Sequence, residues 1–333
     1  MGRGAGTVRM RRRAGRGPSA GFWALLAAMI AVASFISLLS GPMSDPPGWV
    51  VTGLRLPRLV LALLTGAALS VSGCVLQSIL RNDLATPYTL GISAGAGVVA
   101  GSVIVSGLVL PVLGMVALGT LGALLAVTLV YTLASRAGRN DRGSSLILAG
   151  VTMNLVGASV LLLFEYFSDA SRVLEIVRWM MGDLSVIGWS KPLFLLPVVL
   201  AGVAAVELRT GVMNQISQGD DIAHSRGVHV YRERNLLLAS AAVLAGSTVG
   251  AAGPIGFVGL MVPHIMRRFA GSDYRYLVPA SALGGMLLVV LADSMSRVVA
   301  SPAELPIGIV MSLTGGPFFL VLLLRSGRHV EDG

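Results

Sequence analysis

The chain has 333 residues, 54% of them hydrophobic and only 12% charged, with a mean hydropathy of +0.80. Soluble domains carry about 25% charged residues, so this composition excludes an ordinary water-soluble fold and indicates an integral membrane protein. The formal charge of +9 is dealt out between apolar runs and not along one face, which points to membrane topology and away from nucleic acid.

The chain opens on "MGRGAGTVRMRRRAGRGPSA". Residues 1–19 read as a disordered basic tail. The apolar run that follows, Gly21–Leu39, is longer than a signal-peptide core and no A-x-A site comes after it, so an uncleaved first span is expected. Further runs of spanning character lie at Leu59–Leu80, Leu90–Leu110, Gly114–Leu133, Ser144–Phe167, Pro192–Val206, Asn235–Ala252, Ile255–Met266, Val278–Val299 and Leu305–Leu324. A span needs about 20 apolar residues, and Ile255–Met266 is the short one. The prediction is an all-α polytopic membrane protein of about ten transmembrane helices. The permease domain covers 20–326 and a short tail covers 327–333.

With the N-terminus inside and every run crossing, 19 of the 25 basic residues fall inside. The six left outside are Arg55, Arg58, Arg172, Arg178, Lys191 and Arg297. The bias obeys the positive-inside rule and places both termini in the cytoplasm. Arg55 and Arg58 run against it, at an outer helix end, where snorkelling to the membrane surface is the plain explanation.

Lys191 is the sole lysine, and no G-x-x-x-x-G-K-[ST] occurs, so ATP hydrolysis is expected in a partner and the chain is not itself an enzyme. Secondary transporters bury acidic groups as ion relays. Here only Glu165 and Asp293 approach the spans. Asp293 precedes Arg297 by four residues, which suits a local ion pair. No spacing suggests a metal or cofactor site, and Cys74 stands alone in an apolar run.

The longest polar stretch between spans is 213–235, "MNQISQGDDIAHSRGVHVYRERN". Gly219 and Gly227 bracket "DDIAHSR", which reads as a short helix. Asp220 and Asp221 suit its N-terminus and Gly227 its C-terminal cap, and a second short helix is expected before Gly219. A docking element for a cytoplasmic partner is the functional reading, an ordinary loop the plain one.

Five stretches, in this order and spacing, resemble one family: "RLPR" with "GAALSVSG", "RNDLATPYTLGISAGAG", "GPIGFVGLMVPHIMRRFAGSDYR", "LADSMSR" and "AELPIGIVMSLTGGPFFLVLLL". They are similar to the FecCD/BtuC-type permease subunits of ABC importers for iron–siderophores, haem and vitamin B12. The resemblance implies ten spans with both termini inside, arranged as two five-helix halves. An odd number of spans per half inverts the second. It also implies a second permease subunit, identical or paralogous, two cytoplasmic ATPases, an extracytoplasmic binding protein, and a place in the cytoplasmic (cell inner) membrane. By resemblance, Gly219, Asp220, Asp221 and Gly227 belong to the ATPase-coupling loop. Met153, Asn154 and Gly157 in "GVTMNLVGASV" belong to the helix lining the translocation path. Arg55, Arg58 and Arg297 match arginines that meet acids on the binding protein. The expected function is import of an iron(III)–siderophore by alternating access, with cobalamin or haem as the alternative cargo and a secondary transporter as the alternative outside the family. Asp83, where the family usually has proline, is a departure.

Overall fold

The computed structural model describes residues 17–41, 47–136, 142–301 and 303–331. Most of the predicted N-terminal tail, 1–16, lies outside the described residues. The helices are α1 (Ala20–Leu39), α2 (Gly48–Leu80), α3 (Ile92–Ser106), α4 (Val112–Arg136), α5 (Arg142–Tyr166), α6 (Ala170–Met180) and α7 (Ser190–Glu207). Two short helices follow, α8 (Thr210–Gln218) and α9 (Asp220–Ser225). Then come α10 (Val230–Ala252), α11 (Val258–Ala270), α12 (Tyr274–Val298) and α13 (Ile307–Glu331). No strand occurs among the described residues.

Each predicted span falls on a helix, with shifted ends. The eighth starts at Val258 and not Ile255, because the backbone of 253–257 is not helical. The last runs to Glu331, through most of the predicted tail. Among the described residues, seven helices are long and apolar enough to cross a membrane: α1, α2, α4, α5, α7, α10 and α12. α3 and the apolar part of α13, Ile307–Leu322, are shorter. The 13 residues of α11 rise about 20 Å, less than a bilayer core of about 30 Å. α6 was not foreseen. It is a short amphipathic helix between two spans, capped by Asp169, whose carboxylate accepts from the Arg172 N–H at 3.1 Å.

α2 runs through the centre of the bundle and is buried almost throughout from Leu59 to Leu80. In lipid, helices associate by close packing, and small residues permit it. α2 crosses α12 at Gly66 and Gly285, where a Cβ on either glycine would collide with the other's carbonyl oxygen. α4 crosses α10 in the same way. A Cβ on Gly119 would lie 2.8 Å from the Gly250 Cα, and one on Gly250 would lie 3.0 Å from the Val116 Cα.

These two crossings belong to a repeated order. Taken in sequence, α1 to α5 match α7 and α10 to α13. The third member of each half is its shortest, α3 with 15 residues and α11 with 13. Each short helix packs on the helix after it and on the second helix of the other half. Each also begins from a left-handed residue, Gly91 at φ 71° and Phe257 at φ 66°. The halves match in order and in these contacts of the short helix, although no repeat is visible in the sequence.

Candidate functional site

Near the start of α2, Arg55 closes a π-helical turn, Val51–Arg55, and Arg58 follows it. Sequence reasoning sends them outward; in the structure Arg55 is buried and Arg58 keeps contact with solvent. The Arg55 guanidinium donates to the Leu38 carbonyl at 2.7 Å, at the C-terminus of α1. Arg297, on α12, donates to the carbonyls of Ser37 and Ser40 at 3.0 and 2.8 Å and to the Ser37 hydroxyl at 2.6 Å. The last four carbonyls of a helix lack partners within it, and cations there also suit its dipole. Two arginines therefore cap α1. Arg58 bridges to Asp293 at 2.8 Å and to Glu304 at 2.7 Å, and Arg297 meets the other Asp293 oxygen at 3.1 Å. Asp293 is 1% exposed. The expected Asp293–Arg297 pair is present, and Arg58 and Glu304 extend it. Only Arg58 and Glu304 in this network reach solvent, since Arg55 and Arg297 are buried.

At the opposite end of α2, Arg81 takes a left-handed backbone, φ 49°. Its guanidinium donates to the Ile216 carbonyl near the end of α8 at 3.0 Å and pairs with Asp220. Buried Arg234 also binds Asp220, at 2.9 Å. Asp220 thus fixes α9 to the bundle. Gly219, before it, sits at φ 139° and ψ 147°, a region open essentially to glycine alone. Gly227 ends α9 at φ 82°. Asp221, Ile222 and His224 face outward, Ile222 as an exposed apolar side chain. Asp83, the departure from the family pattern, pairs with Arg267 at 2.8 Å. Arg267 in turn donates to Gln77 inside α2.

Between these ends lies a cavity of about 720 Å³, lined by residues of the Tyr88 turn, the end of α6, the start of α11 and the first turns of α13. Its walls include Tyr88, Met181, Phe257, Leu260 and Leu313. The Gly308 N–H donates to the Met181 carbonyl at 3.0 Å, closing α6 on α13.

The three α5 residues singled out by resemblance do not line this cavity. Asn154 donates to the Tyr88 carbonyl at 2.5 Å. Gly157 lies against Ala94 of α3, and Met153 lies against Gly91. They stand behind the wall and hold the Tyr88 turn. The open face of α5 carries Leu148, Leu155 and Leu162 instead. Met181, Phe257 and Glu304 were missed. The glycines beside Phe257 and the acid in "AELPIG" were the only available signals.

The model of the FecCD transport family matches residues 20–325. The chain belongs to that family. It is 38% identical over 305 residues to the hemin transport system permease protein HmuU of Yersinia pestis, covering 90% of each chain. It is 37% identical over 321 residues to the vitamin B12 import system permease protein BtuC of Shigella sonnei, covering 92% of this chain and 96% of the other. It is 33% identical over 329 residues to the iron-uptake system permease protein FeuC of Bacillus subtilis, covering 92% and 98%. A solved structure, an inward-facing conformation of a metal-chelate-type ABC transporter, superposes with a TM-score of 0.84 at 28% identity, covering 92% of this chain and all of that one. The protein is accordingly a multi-span membrane permease of an ABC importer, and the hydrolysis of ATP lies in a separate subunit.

Proposed function

We propose that this permease carries an iron(III)–siderophore into the cytoplasm by alternating access. Two copies, or this chain and a paralogue, surround the route, driven by two ATPases and supplied by an extracytoplasmic binding protein. The observation that carries the route is the cavity of about 720 Å³, walled by methionine and aromatic side chains from both halves of the chain. It is large enough for a chelate, and its wall has no charged residue to trap one. The iron cargo is supported by the similarity to an iron-uptake permease and to a metal-chelate transporter. Haem and vitamin B12 are the alternatives, named by the other relatives.

In this reading the Asp220 end is cytoplasmic. α8 and α9 enter the ATPase, with Asp221 and Ile222 on the contact face and Gly219 and Gly227 setting the angle of α9. Asp220 holds that element to the bundle, so ATPase motion reaches α2 and α10 through Arg81 and Arg234. The Arg58 end then faces the binding protein. Arg58 meets the partner's acids, while Arg55 and Arg297 hold the surface from beneath. An incoming acid competes with Glu304 for Arg58. Glu304→Gln should therefore tighten docking, and the gain should shrink with salt.

The deciding experiment measures radio-iron uptake from a ferric hydroxamate in cells expressing the chain with its co-encoded ATPase and binding protein. Uptake should vanish when the ATPase P-loop lysine is replaced, and also in Ile222→Asp. Competition by haem or cobalamin, with no ferric hydroxamate uptake, would replace the cargo. Uptake that persists without the ATPase would overturn the mechanism. Sidedness is read by placing cysteine at Ala170 and Ser225, the first expected to label from outside intact cells and the second only after permeabilisation.

A further inference from the structure

Among the described residues, two that are not glycine have positive φ: Arg81 and Phe257. For a bulky side chain this is a true outlier. Phe257 stands at φ 66° and ψ −25°, at the head of α11. Its ring lies against Gly315 of α13, where a Cβ would overlap the ring. Its outer face belongs to the cavity wall. From the ring an aromatic file continues away from the cavity: Phe319 at 6.3 Å, then Phe318 at 5.2 Å, then His264 at 6.2 Å. The ring therefore stands between the cavity and the lower part of α13.

The chain before Phe257 is built to turn. "GPIG" precedes it, Gly253 has φ 68°, and Gly256 has open space around it. Strained residues persist only where their surroundings over-determine them, and they cluster at gates and switches. Here the surroundings are the notch left by Gly315 and a packed loop, in which Gly253 lies against the Trp179 carbonyl and Ile255 is buried, with Gly256 the one open position beside the ring. Strain raises the energy of the closed arrangement toward that of any arrangement in which the residue leaves the left-handed region.

We infer that the Phe257 side chain is the movable floor of the 720 Å³ cavity. Seated on Gly315, it closes the cavity toward the His264 end. Rotation of its backbone out of the left-handed region lifts the ring and opens that end. The inference rests on the cavity being part of the transport route.

The test places a cysteine at Ser312, an exposed residue of the cavity wall. Cys74 is buried and gives little background. Right-side-out and inside-out membrane vesicles containing the full chain with its ATPase are treated with a membrane-impermeant cationic methanethiosulfonate. Ser312→Cys should label from one side only. Adding Phe257→Ala should raise labelling from the closed side by about tenfold, as a minor open state becomes a major one. Phe257→Gly should do the same, and it removes the backbone strain, so misfolding cannot explain both. Phe257→Tyr keeps a ring and should stay closed. An unchanged closed side in monodisperse Phe257→Ala and Phe257→Gly proteins would overturn the floor and leave the route standing. Labelling of Ser312→Cys from neither side would remove the cavity from the route and the floor with it.

Discussion

At one end of α2, Asp293 lies between Arg58 and Arg297 with 1% of its side chain exposed; at the other, Asp220 lies between Arg81 and Arg234 with 40% exposed. In both places an arginine also caps the C-terminal carbonyls of a neighbouring helix, α1 in the first case and α8 in the second. The residue types are the same and the burial of the acids is opposite, while one arginine is buried at each end. A buried pair is held because each charge would be stranded without the other. An exposed pair is worth little, since water and salt can replace either partner. The Arg58 end is therefore a clamp. The Asp220 end is a joint that can shift when a partner pulls on α9.

The largest effect should come from removing the charge that the clamp needs. Asp293→Asn leaves Arg58 and Arg297 facing each other in a buried site. Breaking such a pair costs about 3–5 kcal/mol. Much lower thermal stability in detergent is expected, with most of the protein lost from the membrane. A variant as stable as the parent would mean that water reaches Asp293, and the contrast between the ends would fail.

The same substitution at the joint should hardly affect folding. Asp220→Asn removes the charge of an acid that is two-fifths exposed but keeps an acceptor for buried Arg234, and the exposed pair with Arg81 contributes about 0.2–1 kcal/mol, less in salt. Stability should stay near that of the parent while ATP-driven uptake falls, because α9 loses its charged tie to Arg81 and Arg234. Equal loss of stability at Asp220 and Asp293 would make both ends clamps.

These two ends also show what was legible in the sequence. The apolar helices were, because apolar runs report on lipid directly, although among the described residues only seven are long and apolar enough to cross a membrane. So was the α8–α9 pair, through Gly219 and Gly227 and the acids between them. The partners of the arginines were not. Arg58 finds Asp293 and Glu304 more than 200 positions away, and Arg297 finds the carbonyls of α1. A charge at a helix end looks the same in sequence whether it faces another protein or an uncapped helix. α6 escaped notice because eleven residues with one apolar face fall below the length that marks a span. The left-handed backbone of Phe257 left no residue-level sign, since glycine, the usual occupant, is its neighbour.

The smallest effect separates burial from position. Asp169 caps α6 with its carboxylate fully exposed. The Arg172 N–H, and then the Ser171 hydroxyl, hold its carboxyl below the ordinary range. The bonds favour the charged form, so the folded value lies under the uncapped one, about 3.9. The sign follows: the cap contributes fully above that ordinary value and fades as pH falls through the lower folded value. At neutral pH the cap is therefore intact, and only strong acid should loosen the first turn of α6. Hydrogen exchange at the Arg172 amide, corrected for its intrinsic rate, should lose protection only in that acid window. Asp169→Asn keeps an acceptor at the cap and should lose the pH dependence while keeping most of the protection. Asp169→Ala should lack protection at every pH. If Asp169→Asn followed the same pH curve as the parent, the titrating group would lie elsewhere. A global loss of stability in Asp169→Ala comparable to that of Asp293→Asn would mean that exposure does not set the worth of an acid in this fold.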